Sequence, residues 1–196
     1  MAIILSRFNS QTWVITLLLL LVPIIAKAAV PQWQIIPNES SITFKGTQNN
    51  APVSGKFNKF TGEIAFDPNQ LSASKVRIVV DMNSVSTSYS DFTSALLTSD
   101  WFHVKLFPEA IFEANYFTKI GENKYEADGN MTIRDKTVPV KLTFTGEALS
   151  KTKGRVKGSI ILKRLVFGIG QGEWESTDEV KNEVTVNFIL TATLKE

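Results

Sequence analysis

Val53-Ser54-Gly55-Lys56-Phe57-Asn58-Lys59-Phe60-Thr61-Gly62-Glu63-Ile64-Ala65-Phe66-Asp67 holds two strand patterns that are out of phase. Val53, Gly55 and Phe57 keep the two-residue period of a half-buried strand; Asn58 and Lys59 intervene, and Phe60, Gly62, Ile64 and Phe66 resume it one residue out of step. A bulge or tight turn at the slip keeps both apolar sets on one face and bends the strand, which is what a sheet needs in order to curl into a barrel. Gly55 and Gly62 mark positions where a side chain would obstruct a bend or a close backbone. On this pattern alone, a hairpin in a β-sandwich fits equally well.

Residues 1–28 read as a secretory signal peptide. Arg7 supplies the positive start, Trp13 to Ile25 is apolar, and Ala26-Lys27-Ala28 has the small-x-small form of a cleavage site. The run is short for a membrane span of about 20 residues, so no stable anchor is expected after cleavage. The expected division is 1–28 signal peptide and 29–196 one domain in the periplasm. The formal net charge of +2 comes from Arg7 and Lys27, the only charges in that leader. The remainder is neutral, which argues against nucleic acid as a partner. The chain has no Cys, so stability must come from the core and the sheet.

From Trp33 onward the strand period dominates. Ser41 to Lys45 alternates, and Gln48 to Pro52 turns into the opening stretch. Val76, Ile78, Val80 and Met82 face away from Lys75, Arg77 and Asp81. Tyr125 to Arg134 and Val138 to Ala148 alternate about the turn Asp135-Lys136 and form a hairpin. Lys151 to Gly154 is the next turn, and Val156, Gly158, Ile160 and Leu162 continue the pattern. A last strand runs from Val180 to Leu194, about 50 Å long at about 3.3 Å per residue, and a strand of that length has to bend. Long antiparallel strands on short turns, wet on one side, fit an up-and-down barrel better than a sandwich. The fold expected is all-β: an extended antiparallel lipocalin-like barrel of about eight strands with a short helical insertion. That insertion is Ser90 to Leu97, with Ser90 as its cap, followed by a turn at Ser99 to Phe102. It packs over one end of the barrel as a lid, as a core helix sealing the sheet, or as both.

Catalytic chemistry is hard to find. His103 is the only His, and its neighbours Trp101, Phe102 and Val104 offer no acid to orient it. With one His and no Cys, and carboxylates spread over wet faces, no metal site is expected. Glu173 and Glu175 flank Trp174 as an acid pair would, but such spacing is commonplace in solvated loops. Gly168-Ile169-Gly170-Gln171-Gly172 lacks the Lys-Ser/Thr and the helix of a phosphate loop, and reads as a flexible bend between the last two strands. What remains is apolar excess: 13 Phe and 4 Trp. An eight-stranded barrel has room for one slender ligand, or is filled by its own side chains.

Eight segments carry a resemblance. They are Thr43-Phe44, Val53 to Phe57, Phe60 to Pro68, Ser84 to Thr87, Leu97 to Phe102, Phe107 to Phe112, Gly129 to Arg134 and Arg164 to Gly170. In this order they resemble the YceI family over nearly the whole domain. The resemblance implies a lipocalin-like barrel that binds a polyisoprenoid chain, without catalytic residues or cofactors, in an exported protein often linked to stress responses. Glu39-Ser40-Ser41 and Gly46-Thr47-Gln48 stand where many members carry His, so a head-group contact through those His is not carried over. The ligand-binding residues it suggests are Phe57, Phe60, Phe66, Trp101, Phe102, Phe112 and Phe167, lining or closing the channel, with Arg164 near the head. The other readings are a filled barrel that acts as a periplasmic interaction module through the loops 91–102 or 168–174, and a hydrolase using dispersed carboxylates. A long edge strand would pair equally well between subunits, giving a homodimer.

Overall fold

The computed structural model describes residues 29–195, so the signal-peptide segment lies outside the described residues. The strands are β1 (Gln32–Ile35), β2 (Ser41–Gln48), β3 (Ala51–Phe57), β4 (Phe60–Ala65), β5 (Lys75–Asp81), β6 (Val85–Thr87), β7 (Glu109–Gly121), β8 (Lys124–Ile133), β9 (Lys136–Ala148), β10 (Lys153–Lys163) and β11 (Glu183–Leu194); helix α1 is Ser90–Leu97. Every pairing is antiparallel. The order β1-β4-β5-β7-β8-β9-β10-β11 closes when β11 returns to β1, making an eight-stranded barrel. The other half of β11 pairs with β2, and β2-β3-β6 continue the wall beyond the ring.

The slip at Asn58-Lys59 explains this division. β3 ends at Phe57 and β4 starts at Phe60, so the two form one bent strand. Its neighbours bend at the same level: β1 and β2 are separated by the turn Pro37–Glu39, and β5 and β6 by the turn Met82–Ser84. The three kinks are satisfied locally. The amides of Asn58 and Lys59 donate to Ser84 Oγ at 3.1 and 3.0 Å, and Asn58 Nδ2 donates to Ser84 O and Ser86 Oγ at 2.8 and 3.0 Å. Ser40 Oγ receives the Thr191 amide at 3.0 Å and donates to Ile36 O at 2.8 Å. Backbone polar groups released by the bends are thus not left buried and unpaired. The two glycines of the opening stretch serve close approach. A Cβ on Gly55 would run into the ring of Phe44, and one on Gly62 into the methyls of Ile35 and Ile78.

Two local expectations change. The last strand begins at Glu183 rather than Val180, because Asn182 turns back, its carbonyl accepting from Arg164 N at 2.8 Å and its Oδ1 from Leu165 N at 3.1 Å. Val180 keeps only an isolated bridge to Gln48. In α1 the N-cap is Tyr89, without a side-chain cap bond, and Ser90 lies inside the first turn. The helix is fixed instead by Thr93 Oγ1, which receives the Thr87 amide at 3.1 Å. The ring is uneven in height: β11 pairs with β10 on one side and with β2 and β1 on the other, whereas β7 beyond Ala114 and β9 before Thr143 pair with β8 alone among the described strands.

Candidate ligand-binding cavity

The inward side chains do not fill the barrel. Between them lies a cavity of about 600 Å³, within the range of about 300–1,000 Å³ usual for small-molecule sites. Parity along the strands decides what faces it. Val156 and Ile160 on β10 sit opposite Leu190 and Val186 on β11, and all four line the space. Phe112, Val80, Phe44 and Phe188 complete the waist.

Aromatic groups shape the two ends. Near the β7–β8 hairpin, Phe66 meets Phe117, Tyr125 and Phe144 edge-on, with centroids 5.4, 5.6 and 5.9 Å away. Such edge-to-face contacts hold rings in fixed orientations. Trp33, which lines the same end, donates from its indole to Phe66 O at 2.9 Å. At the other end α1 lays Phe92 and Leu96 over the opening, and Trp101 lies 5.8 Å from Trp174 on the β10–β11 loop. The segment after α1 therefore caps one mouth while Phe102 joins the core cluster beneath it, so the lid and the sealing element are one and the same.

That mouth is held by two arginines. Arg164 is 2% exposed, and its guanidinium donates to five backbone carbonyls: Lys181 at 3.2 Å, Ile169 at 2.9 Å, Gly170 at 3.4 Å, Ser176 at 3.1 Å and Val180 at 2.8 Å. It lies 5.9 Å from the Trp101 ring. Burial pushes its pKa below the ordinary guanidinium value. Gly170, at φ +80°, is required here by both backbone and space, because a Cβ would collide with the guanidinium. Arg134 Nη1 donates to Ser99 O, Trp101 O and Gly168 O at 3.1, 2.7 and 2.7 Å. The amides of Gly170 and Gln171 both donate to Asp100 O, at 2.7 and 2.8 Å. Lid and loop are thus one hydrogen-bonded unit rather than a flexible bend.

Of the side chains expected from sequence, Phe57, Phe66, Trp101, Phe102, Phe112, Phe167 and Arg164 all border the cavity. Phe60 does not. It sits opposite Val80 on the inward face, but at the kink it packs against Ile35, Ile42, Ile78 and Leu190 and borders a separate recess with Pro37 and Ser40. Arg164, expected near a ligand's head, borders the cavity at the lidded mouth and acts there as a brace. Its N–H groups are all engaged by carbonyls, so it braces the loop and offers no donor to a head group. The aliphatic wall of Ile42, Val156, Ile160 and Val186 is visible in the sequence as strand parity, though not as a site. Trp174 is visible there only as an aromatic beside glycines. Elsewhere, His103 packs edge-on against Phe107 at 5.8 Å, and no cluster of three or more His, Cys, Asp or Glu able to hold a metal occurs among the described residues.

An antiparallel eight-stranded barrel closed on an apolar lumen places the protein among lipocalin-like folds. The family model for the YceI-like domain matches residues 33–192, and the chain belongs to the YceI family. A UPF0312 protein of Pseudomonas aeruginosa strain PAO1 is 32% identical over 142 residues, 69% of this chain and 73% of that protein. One from Pectobacterium atrosepticum is 36% identical over 88 residues, 45% of either chain. Among solved structures, Burkholderia cenocepacia BcnA is similar with TM-score 0.77 and 30% identity, over 81% of this chain and 99% of that one. A polyisoprenoid binding domain from Saccharophagus degradans shares the fold, with TM-score 0.66 and 11% identity over 86% of this chain and all of that one.

Proposed function

We propose that this protein is an exported, non-catalytic binder that holds one slender apolar chain of the polyisoprenoid type, an isoprenoid or quinone-like lipid, inside the barrel. The observation that carries the reading is the continuous apolar cavity of about 600 Å³ along the barrel. Membership of the YceI family and the fold shared with a polyisoprenoid binding domain support binding rather than turnover. Periplasmic location follows from the signal-peptide reading of residues 1–28.

The mechanism is hydrophobic transfer. Burial of a methylene is worth about 0.8 kcal/mol, so each five-carbon unit that enters the barrel gains about 4 kcal/mol before the cost of immobilisation. Phe57, Phe66, Trp101, Phe102, Phe112 and Phe167 act as walls for the chain. They set a limit on its width without demanding any particular head. Because Arg164 is saturated, the polar head stays at a mouth in water or against the rim. The alternative of an interaction module presupposes a filled barrel, and the cavity counts against that premise.

Uptake by delipidated protein tests the reading. A polyprenyl alcohol should quench or shift the emission of Trp33, Trp101 and Trp174 saturably, with one chain per barrel. A bulky sterol of similar apolar area should compete poorly. Indifference of the tryptophans to every polyprenyl lipid would remove the proposal.

A further inference from the structure

The charges of this domain balance overall, yet the fold sorts them along the barrel axis. The turns at 66–74, 121–124 and 148–153, with the segments entering β1 and leaving β11, form one end. Exposed Lys75, Lys119, Lys124, Lys151 and Lys195 surround it, against Asp67, Glu122 and Glu147. Lys75, Lys119, Lys124 and Lys151 take part in no ion pair among the described residues. The opposite end carries Glu173, Glu175, Asp178 and Glu179 on the β10–β11 loop, and Asp91, Asp100 and Asp135 near it, so that its lysines are outnumbered.

The basic end has two further features. Ile120, 45% exposed, and Leu149, 37% exposed, stand beside the tips of the β7–β8 and β9–β10 turns. Glu147, Ser150 and Lys151 border the cavity, so its lining reaches this rim. An apolar tip beside lysines is the arrangement that enters the head-group layer of an anionic bilayer, with the aliphatic side chain below and the ammonium at phosphate level. The lid of Trp101 and Trp174 closes the far, acidic end, which an anionic surface repels.

We infer that the barrel docks end-on, through the Lys119, Lys124 and Lys151 rim, onto an anionic phospholipid surface, and that this rim is where an apolar chain enters. The docking step stands on the charge and rim geometry; only the passage of cargo rests on the function proposed above. Each lysine near an anionic membrane strengthens binding about fivefold.

Co-sedimentation of the cargo-free domain with vesicles tests the docking separately from cargo binding. Binding is expected on equimolar phosphatidylglycerol and phosphatidylcholine at low salt, with loss at high salt and little binding to phosphatidylcholine alone. The triple variant K119E/K124E/K151E should weaken it about a hundredfold or more. K105E/K136E/K163E, which makes the same charge change at the far end, should stay within about twofold; circular dichroism of both variants checks that the barrel is intact. Equal weakening by the two triples, equal binding to neutral vesicles, or no binding to either would overturn the proposal. So would retention of the domain by an acidic protein while anionic vesicles are ignored, which would assign the rim to a protein partner.

Discussion

Replacing Arg164 by Met removes the guanidinium and keeps most of the aliphatic stem. Four of its five bonds to carbonyls are 3.2 Å or shorter, those to Lys181, Ile169, Ser176 and Val180. At about 1 kcal/mol net each they sum to about 4 kcal/mol, since the carbonyls lose a charged donor and water reaches only part of the loop. Burial of the charge, visible in the depressed pKa, costs something that Met does not incur, and this returns part of the loss. The net expectation is about 2–3 kcal/mol, or about 5–10 °C in Tm for a domain of this size. Urea titration should show a lower midpoint at unchanged slope, and hydrogen exchange should rise first between residues 168 and 182. Arg164→Lys should resemble Met more than wild type, because a single ammonium cannot reach carbonyls on both sides of the loop. A Met variant within about 0.5 kcal/mol of wild type, with the loop amides still protected, would refute the brace.

Ile160→Trp adds bulk at the waist of the cavity, where overpacking costs little because space exists; it should keep the circular dichroism of the barrel and lose polyprenyl uptake at least tenfold. Trp174→Ala removes the partner that lies 5.8 Å from Trp101 and so opens a second exit at the lidded end; it should add to lipid release in stopped-flow transfer, with little change in Tm. Lys141 lies beside Glu126 and Asp128, and hydrogen bonds to these carboxylates, Glu126 first, raise its pKa from 10.5 to about 12. A raised cationic pKa gives a contribution fully present below pH 10.5 and lost as pH rises through about 12. NMR titration of its Nζ should therefore show no transition near 10.5, and denaturation midpoints between about pH 6 and 9 should not change on its account.

The barrel is legible in the sequence because side-chain parity is a property of residue identity. The slip at Asn58-Lys59 encodes a bend that must be matched by neighbours, and the matching turns at Pro37–Glu39 and Met82–Ser84 supply it. The start of β11 is not legible, because Asn182 can extend a strand or cap a turn, and only the nearby amides of Arg164 and Leu165 decide between them. The bracing by Arg164 is hidden for a similar reason. Its partners are carbonyls, which every residue has, so nothing in the sequence marks them. Phe60 keeps the inward parity but sits at the kink, where neighbours close over it. The aromatic walls can be anticipated from composition, whereas the empty space between them depends on the closure of eight strands.

The most direct test of the central claim is mass spectrometry of an organic-solvent extract from the protein purified natively out of the cell envelope. One isoprenoid or quinone-type lipid per barrel is the expected result. An extract without lipid, together with failure to take up added polyprenyl chains, would contradict the account.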